Sequence, residues 1–131
     1  TFGGNPVSCA AALANIDVMI DEKLPEKAAT RGAQLMAGLE KIKANNKLVG
    51  DVRGKGLMIG IELVKDADKT PAAAEAGEVR RLCREAGILV GVGGSLGNVV
   101  RLQPPLVISE EECARVLETL ENVLADTARA L

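Results

Sequence analysis

Apolar and polar positions recur along this chain with two different periods, and the change of period separates helical from extended segments. Between residues 6 and 45 the period is helical. Asn5-Pro6 predicts the start of a first helix, because asparagine can cap free backbone N–H groups and proline fits the first turn. A second helix is predicted from about Pro25 to Asn45. Its single apolar stripe consists of Ala28, Leu35, Met36, Leu39 and Ile42.

The first predicted helix differs from the second because it is apolar on most of its circumference. The residues that surround it are Val7, Ala10, Ala11, Leu13, Ala14, Ile16, Val18, Met19 and Ile20. A helix that is apolar all round is covered on more than one side in a folded protein. The pattern therefore predicts a contact with a surface that this chain does not supply.

A period of two follows in the stretch LVGDVRGKGLMIGIELVKD, where apolar residues at 57, 59, 61 and 63 alternate with residues of the other face. This alternation predicts a half-buried strand. A shorter strand is predicted over residues 49–53, with Gly54-Lys55-Gly56 as the turn. Two more strands are predicted over residues 88–92 and 98–102, joined by the loop GGSLG.

Two further helices complete the pattern. Thr70-Pro71 predicts the start of a helix whose inner face includes Ala72, Val79 and Cys83, and Gly87 predicts its end. Ser109 and Glu112 have the spacing of a capping box before the last helix. The buried stripe predicted for that helix is Cys113, Val116, Leu117, Leu120, Val123, Leu124 and Leu131. The order α-α-β-β-α-β-β-α favours an α+β fold, with a mixed, mostly antiparallel sheet covered by helices on one face.

Composition narrows the chemistry that 131 residues of this kind can perform. The net charge is −2, and no basic stripe indicates a nucleic-acid surface. Phe2 is the only aromatic residue, so a flat ligand that needs a stacking ring must find it in another part of the protein. Histidine, the commonest general base, is absent. No run approaches the length of a membrane span. Cys9, Cys83 and Cys113 lie in helical patterns at wide spacing, which favours buried free thiols over disulfides or a zinc site.

Three segments are candidates for anion binding. Thr1 to Pro6 combines a hydroxyl, two glycines and a helix start, although a glycine loop before a capped helix has the same pattern. Arg101 lies on a predicted strand between apolar neighbours, where a guanidinium suits bidentate capture of a carboxylate, or else is an ordinary surface arginine. The turn Arg53 to Gly56 is basic, and a hairpin with solvated charges is the simpler interpretation. The glycines between residues 91 and 97 do not indicate a dinucleotide site, since a strand rather than a helix follows them.

Three blocks, TFGGNP before an Ala-rich helix, VRGKGLMIGIEL, and RLQPPLVIS before the last helix, together resemble the C-terminal part of class III pyridoxal-phosphate (PLP) aminotransferases. Within that class, GDVRGKGLMIGIELV and ILVGVGGSLGNVVRLQPP are most similar to the alanine–glyoxylate aminotransferase type 2 branch. Branches that act on 4-aminobutyrate, acetylornithine, ornithine or other ω-amino acids share the remaining motifs, and they stay as alternatives.

The resemblance implies a fold-type I enzyme that transfers an amino group from an amino acid to a 2-oxo acid. It implies a homodimer or a dimer of dimers in the cytoplasm, with a mitochondrial location also open, and no membrane or nucleic-acid partner. Residues 1–24 would be a loop and helix linking to a large domain outside this sequence, and residues 25–131 the small C-terminal domain. The absence of a start methionine before TFGGNP adds to the expectation of a fragment.

Two site residues carry over by motif position. Thr1 is similar to the family threonine that binds the cofactor phosphate across the dimer interface, and Arg101 to the arginine that binds the substrate carboxylate. No lysine of this chain matches the Schiff-base lysine, which in the family lies upstream, so we expect no catalytic residue and no activity in this segment alone. The competing hypothesis from another class is an inert ligand-binding or dimerisation module with the same fold.

Overall fold

The computed structural model describes residues 2–130 and contains four helices and four strands in the predicted order. The elements are α1 (Pro6–Asp21), α2 (Leu24–Asn45), β1 (Val49–Lys55), β2 (Met58–Leu63), α3 (Ala73–Glu85), β3 (Gly91–Gly93), β4 (Val99–Leu102) and α4 (Glu110–Arg129). The strands form one sheet in the order β1-β2-β4-β3. The predicted α+β architecture is confirmed, and the three strand pairings among the described residues are all antiparallel rather than mixed.

One face of the sheet is buried against the helices. A row of paired residues, Val52, Ile61, Val100 and Val92, crosses all four strands on this face. Helix α2 packs mainly on β1, α3 packs on β2, β3 and β4, and α4 packs against both helices. The core therefore lies in the layer between the sheet and these three helices. Its fully buried side chains include Leu35, Leu39, Ile61, Leu63, Val79, Cys83, Val100, Cys113, Leu120 and Leu124.

The β1–β2 hairpin is longer than predicted. Both strands continue to Lys55 and Met58, so the turn consists of Gly56 and Leu57 instead of residues 54–56. Gly56 has a φ of 54°, in the left-handed region that glycine adopts without steric cost. The backbone of helix α2 approaches this turn at Gly32, where an added Cβ would collide with the carbonyl oxygen of Gly56. The absent side chain at residue 32 thus permits the contact between helix and hairpin.

Helix starts agree with the sequence at α1 and α4 and disagree at α3. The hydroxyl of Ser109 accepts a hydrogen bond from the Glu112 amide at 3.1 Å, and the Glu112 carboxylate accepts one from the Ser109 amide at 2.8 Å, which confirms the capping box. The prediction that Thr70-Pro71 caps α3 is wrong. Pro71 instead pairs with Val64 in an isolated bridge, and α3 begins two residues later without a side-chain cap.

The cysteine prediction holds for two of three residues. Cys83 and Cys113 are buried free thiols, and burial raises the pKa of the Cys83 thiol to about 11. Cys9 is exposed, because helix α1 has no buried residue and contacts only α2 among the described elements. Of the stripe predicted for α4, residues 113, 120, 123 and 124 are buried, whereas Val116 and Leu117 are half-buried. Residue 131 lies outside the described residues.

Substituting Gly32 by alanine tests the close approach of α2 to the hairpin. We expect Gly32→Ala to lower the free energy of unfolding by about 1–3 kcal/mol, because the added methyl group has no room. Gly77 in the middle of α3 is the matched control, since its added Cβ would meet no atom within 4 Å. Gly77→Ala should raise the free energy of unfolding by about 0.5–1 kcal/mol through helix propensity. Urea denaturation measures both, and stabilisation by both variants would contradict the contact.

Candidate functional site

The sheet face opposite the core carries the candidate carboxylate-binding arginine. Arg101 lies in β4 with its side chain exposed, while its neighbours Val100 and Leu102 are buried on the core side. The three residues thus follow the two-residue alternation of a strand. The prediction that Arg101 projects from the face opposite its apolar neighbours is confirmed. Its role in binding a carboxylate stays a prediction.

Glycines flank Arg101 on both neighbouring strands. The Cα partner of Arg101 on β2 is Gly60, and its partner on β3 is Gly91. Gly93, two residues further along β3, is also close to the Arg101 side chain. Sequence reasoning missed this arrangement because pairing between distant strands is not visible in a local pattern. The only local signal is glycine at alternate positions, with Gly91 inside the strand predicted over residues 88–92 and Gly93 at the start of the predicted loop.

The second arginine on this face is neutralised by acids of the sheet itself. The Arg53 guanidinium donates hydrogen bonds to the carboxylates of Asp51 at 2.8 Å and Glu62 at 2.7 Å. The bond from Arg53 is the main reason that the pKa of Asp51 lies below its ordinary value, and the charge of Lys43 lowers it further. The hairpin interpretation of residues 53–56 is therefore correct, and Arg53 is committed to internal ion pairs.

Arg101 has a different electrostatic environment. Within residues 2–130 no carboxylate lies within 4 Å of its guanidinium, and the same is true of Arg80, Arg84 and Arg115. Arg80 and Arg84 belong to α3 and Arg115 to α4, so Arg101 is the arginine of the described sheet that is left without an acidic partner. A guanidinium with free donors on an open face can accept an external carboxylate without first breaking an ion pair.

The N-terminal candidate is only partly described. Thr1, the predicted phosphate ligand, lies outside the described residues. The Asn5 side chain accepts hydrogen bonds from the amides of Val7 at 3.0 Å and Ser8 at 3.2 Å, so these helix-terminal donors are already used. Gly3 and Gly4 expose bare backbone with open space where a Cβ would stand. Helix α1 contacts no strand, so the described structure does not bring this segment to Arg101.

Several other chemistries find no support in the described part of the chain. The glycine-rich loop after β3 leads into β4, as predicted, which is not the strand-to-helix setting of a dinucleotide loop. Among residues 2–130 no group of three histidine, cysteine or acidic side chains is arranged to hold a metal ion. In the same residues no helix has both the length and the apolar character needed to cross a bilayer.

Comparison with known proteins identifies the family. The family model described as aminotransferase class-III matches residues 1–124. The chain is 44% identical, over 122 residues, to a protein of Arabidopsis thaliana named alanine–glyoxylate aminotransferase 2 homolog 2, mitochondrial. The matched region covers 92% of this chain and 26% of that protein.

Solved structures of similar proteins agree with this match. A phospholyase from Arthrobacter, in complex with phosphoethanolamine, is 40% identical with a TM-score of 0.91, covering 95% of this chain and 30% of that one. An amine transaminase from an uncultivated Pseudomonas species, in its PLP-bound internal aldimine form, is 39% identical with a TM-score of 0.87. That match covers 97% of this chain and 29% of the transaminase chain.

The chain belongs to the class III aminotransferase family, and its fold is that of the C-terminal domain of these enzymes. It spans less than a third of the length of the relatives that it matches.

Replacing Arg53 tests the ion-pair network on the open face. We expect Arg53→Met to raise the pKa of Asp51 toward the ordinary aspartate value of about 3.9, as measured by NMR titration of the carboxyl carbon. A carboxyl with a depressed pKa stabilises the fold above that ordinary value, and this contribution is lost as pH falls through the folded-state pKa. Because the pair is partly exposed, the variant should lose at most about 1 kcal/mol of stability at pH 7.

The stability difference between the native chain and Arg53→Met should shrink as the pH is lowered below the pKa of Asp51. Arg129→Met, which removes an exposed pair with Asp126 on α4, is the control and should leave the Asp51 titration unchanged. An Asp51 pKa that is the same with and without Arg53 would refute the assigned cause.

Proposed function

We propose that this chain is the C-terminal part of a PLP-dependent aminotransferase that transfers an amino group from an amino acid to a 2-oxo acid. Alanine and glyoxylate are the proposed substrate pair, because the GNVVR stretch, residues 97–101, is the part that distinguishes that branch from those that share the remaining motifs. In this enzyme residues 25–131 form the small domain. Residues 1–24 form the loop and helix that connect it to a large domain, and the large domain supplies the Schiff-base lysine.

The observation that carries the proposal is the state of Arg101. It occupies the arginine position of the RLQPP motif, on an open sheet face, without an acidic partner among residues 2–130. Both substrates of such a reaction carry a carboxylate beside the reacting carbon, and a planar guanidinium can bind each carboxylate through two parallel hydrogen bonds. Arg101 would thus hold donor and acceptor in one orientation.

Helix α1 supports the proposed contact with a large domain. Its apolar side chains at Val7, Leu13 and Ile20 are 78%, 62% and 67% exposed. Solvent-exposed apolar surface of this extent on one helix marks an interaction site. The proposal assigns that site to the large domain of the same protein.

The N-terminal loop fits a phosphate group in one respect. The backbone at Gly3 and Gly4 is unobstructed by side chains, so an anion can approach its N–H groups closely. We propose that Thr1 adds a hydroxyl donor to the cofactor phosphate of a neighbouring subunit. PLP, when bound, supplies an electron sink for negative charge at the substrate Cα. This chain would contribute binding and orientation to that chemistry, and no proton-transfer group.

Assembly and location follow from the same proposal. A threonine that serves a neighbour's site requires at least a homodimer, and a dimer of dimers is equally compatible. We place the protein in the cytoplasm, and fractionation of cells that express the full-length gene tests this against a mitochondrial location, the compartment in the name of the Arabidopsis relative.

The role of Arg101 is tested in the full-length enzyme. We expect Arg101→Ala to raise KM for both the amino donor and the 2-oxo acid, with a total loss on the order of 2–5 kcal/mol in transition-state binding, because a bound carboxylate is left without its partner. The absorbance spectrum of the bound cofactor should stay unchanged. Arg84→Ala removes an α3 arginine that likewise has no acidic partner among residues 2–130, and it should leave both KM values as they are. Unchanged kinetics in the Arg101 variant would overturn the proposal.

The same preparation separates the alternatives for the reaction. Amino transfer to glyoxylate or pyruvate supports the proposal, and the ranking of alanine, 4-aminobutyrate and acetylornithine as donors selects the branch. Release of phosphate from phosphoethanolamine without amino transfer would instead place the protein with the Arthrobacter phospholyase. A full-length protein that binds no PLP and transfers no amino group would be the inert module.

Reactivity of Cys9 tests the proposed covering of α1. In the 131-residue chain Cys9 is exposed while Cys83 and Cys113 are buried, so one thiol should react rapidly with Ellman's reagent at pH 8. In the full-length enzyme we expect Cys9 to react at least about tenfold more slowly, because the large domain covers α1. A Cys9→Ser variant assigns the signal. Equal reactivity of Cys9 in both proteins would show that α1 is not covered.

A further inference from the structure

The Arg101 side chain lies over strand β3 and away from strand β2. A Cβ added to Gly93 would stand 3.2 Å from the Arg101 Nε and 3.3 Å from its Cζ, and one added to Gly91 would stand 3.4 Å from Nε and from a terminal nitrogen. No atom of Arg101 comes within 4 Å of the Cβ position of Gly60, its Cα partner on β2. The guanidinium therefore rests on bare β3 backbone at two glycines.

Backbone conformation does not explain these two glycines. Five glycines of the described chain have positive φ values, and Gly91 and Gly93 are not among them. Both have backbone that any residue adopts, and glycine inside a strand destabilises it relative to a residue with a side chain. What distinguishes the two positions is the arginine that fills the space above them.

We infer that Gly91 and Gly93 are positioning residues that fix the height and direction of the Arg101 guanidinium, and so determine how well the enzyme selects substrates with a carboxylate. This inference rests on the proposed function of Arg101. An arginine side chain has many rotamers, and bidentate binding of a carboxylate requires one orientation of the guanidinium plane. A surface that holds the side chain before the substrate arrives reduces the entropy lost on binding. A side chain at residue 93 would lift the guanidinium off the sheet and tilt that plane.

The decisive variant is Gly93→Val in the full-length enzyme with its cofactor, because valine suits a strand and its bulk occupies the position of the guanidinium. We expect KM for the amino acid donor and for the 2-oxo acid to rise by about tenfold, with kcat within about twofold, as a bidentate contact becomes a single one. Gly93→Ala should raise both KM values by a smaller factor. Gly77→Ala, far from the sheet face, should change neither.

A second substrate class distinguishes positioning from general damage. The half-reaction with an amine donor that lacks a carboxylate, followed through the cofactor absorbance, should proceed at the native rate in Gly93→Val. A variant that disturbed the fold would slow amine and amino acid donors alike. Loss of activity toward both donors by the same factor would overturn the inference. Should the valine variant fail to fold, Gly93→Ala is measured in the same way, since its one methyl group already meets Nε at 3.2 Å.

A double-mutant cycle gives the most direct test. If Gly93 acts through Arg101, then adding Gly93→Val to Arg101→Ala should cost less than about a further twofold in kcat/KM, whereas it costs about tenfold in the native background. Equal losses in the two backgrounds would overturn the inference, as would a native KM in Gly93→Val. If Arg101→Ala itself leaves KM unchanged, the proposed function fails and this inference falls with it. If Arg101→Ala raises KM and Gly93→Val does not, only the inference fails.

Discussion

Side chains of paired residues point to the same face of a sheet, and this constraint organises the whole chain. The row that begins at Val52 is apolar on every strand, so α2 and α3 pack on its face, and α4 packs against these two helices. The adjacent row, Arg53, Gly60, Arg101 and Gly91, must then lie on the other face. A one-residue slip of β4 would bury the Arg101 guanidinium in the core and expose Val100, at a cost no strand of four residues could offset. The same packing that stabilises the fold therefore fixes the position of the candidate site.

The two halves of the open sheet face differ in whether their arginine is neutralised by acidic residues of the sheet. On β1 and β2, Arg53 is balanced by two acids of the sheet, so this half is complete without a ligand. On β4 and β3, the Arg101 side chain lies over Gly91 and Gly93 and has no carboxylate within 4 Å among residues 2–130. Helix α1 likewise exposes apolar side chains that the core does not use. Both free surfaces support the proposal that a large domain contacts this segment, which spans under a third of the length of its relatives.

Local patterns in the sequence were sufficient for the elements and for one site residue. Helical stripes, the period of two in β2 and the capping box at Ser109 predicted the element order and the buried face of the sheet correctly. Arg101 was found because its apolar neighbours alternate with it. One error concerns the dipeptide Thr70-Pro71, whose sequence suits either a helix start or a segment that pairs with an extended strand. In the structure Pro71 forms a bridge with Val64 and does not start the helix. Cys9 was predicted to be buried and is exposed. The prediction failed because a helical pattern indicates an apolar surface but does not show whether the chain contains the partner that covers it.

Strand order and register could not be predicted, since they depend on contacts between distant segments. Helix α3 carries the chain from β2 past the position of β4 to β3 at the sheet edge, and only this crossover places Gly91 and Gly93 beside Arg101. The resemblance to class III aminotransferases supplied the family, which the comparisons confirm. It did not supply the glycine surface under the guanidinium, because that feature follows from the register.

The most direct measurement is a crystal structure of the full-length protein with PLP and a bound 2-oxo acid. We predict that the large domain closes over the open sheet face, and that two nitrogens of the Arg101 guanidinium lie about 2.7–2.9 Å from the carboxylate oxygens of the acid. We also predict that the guanidinium still lies against Gly93. A structure in which the acid is bound elsewhere, with Arg101 facing bulk water and no domain over the sheet, would refute the assigned role of Arg101.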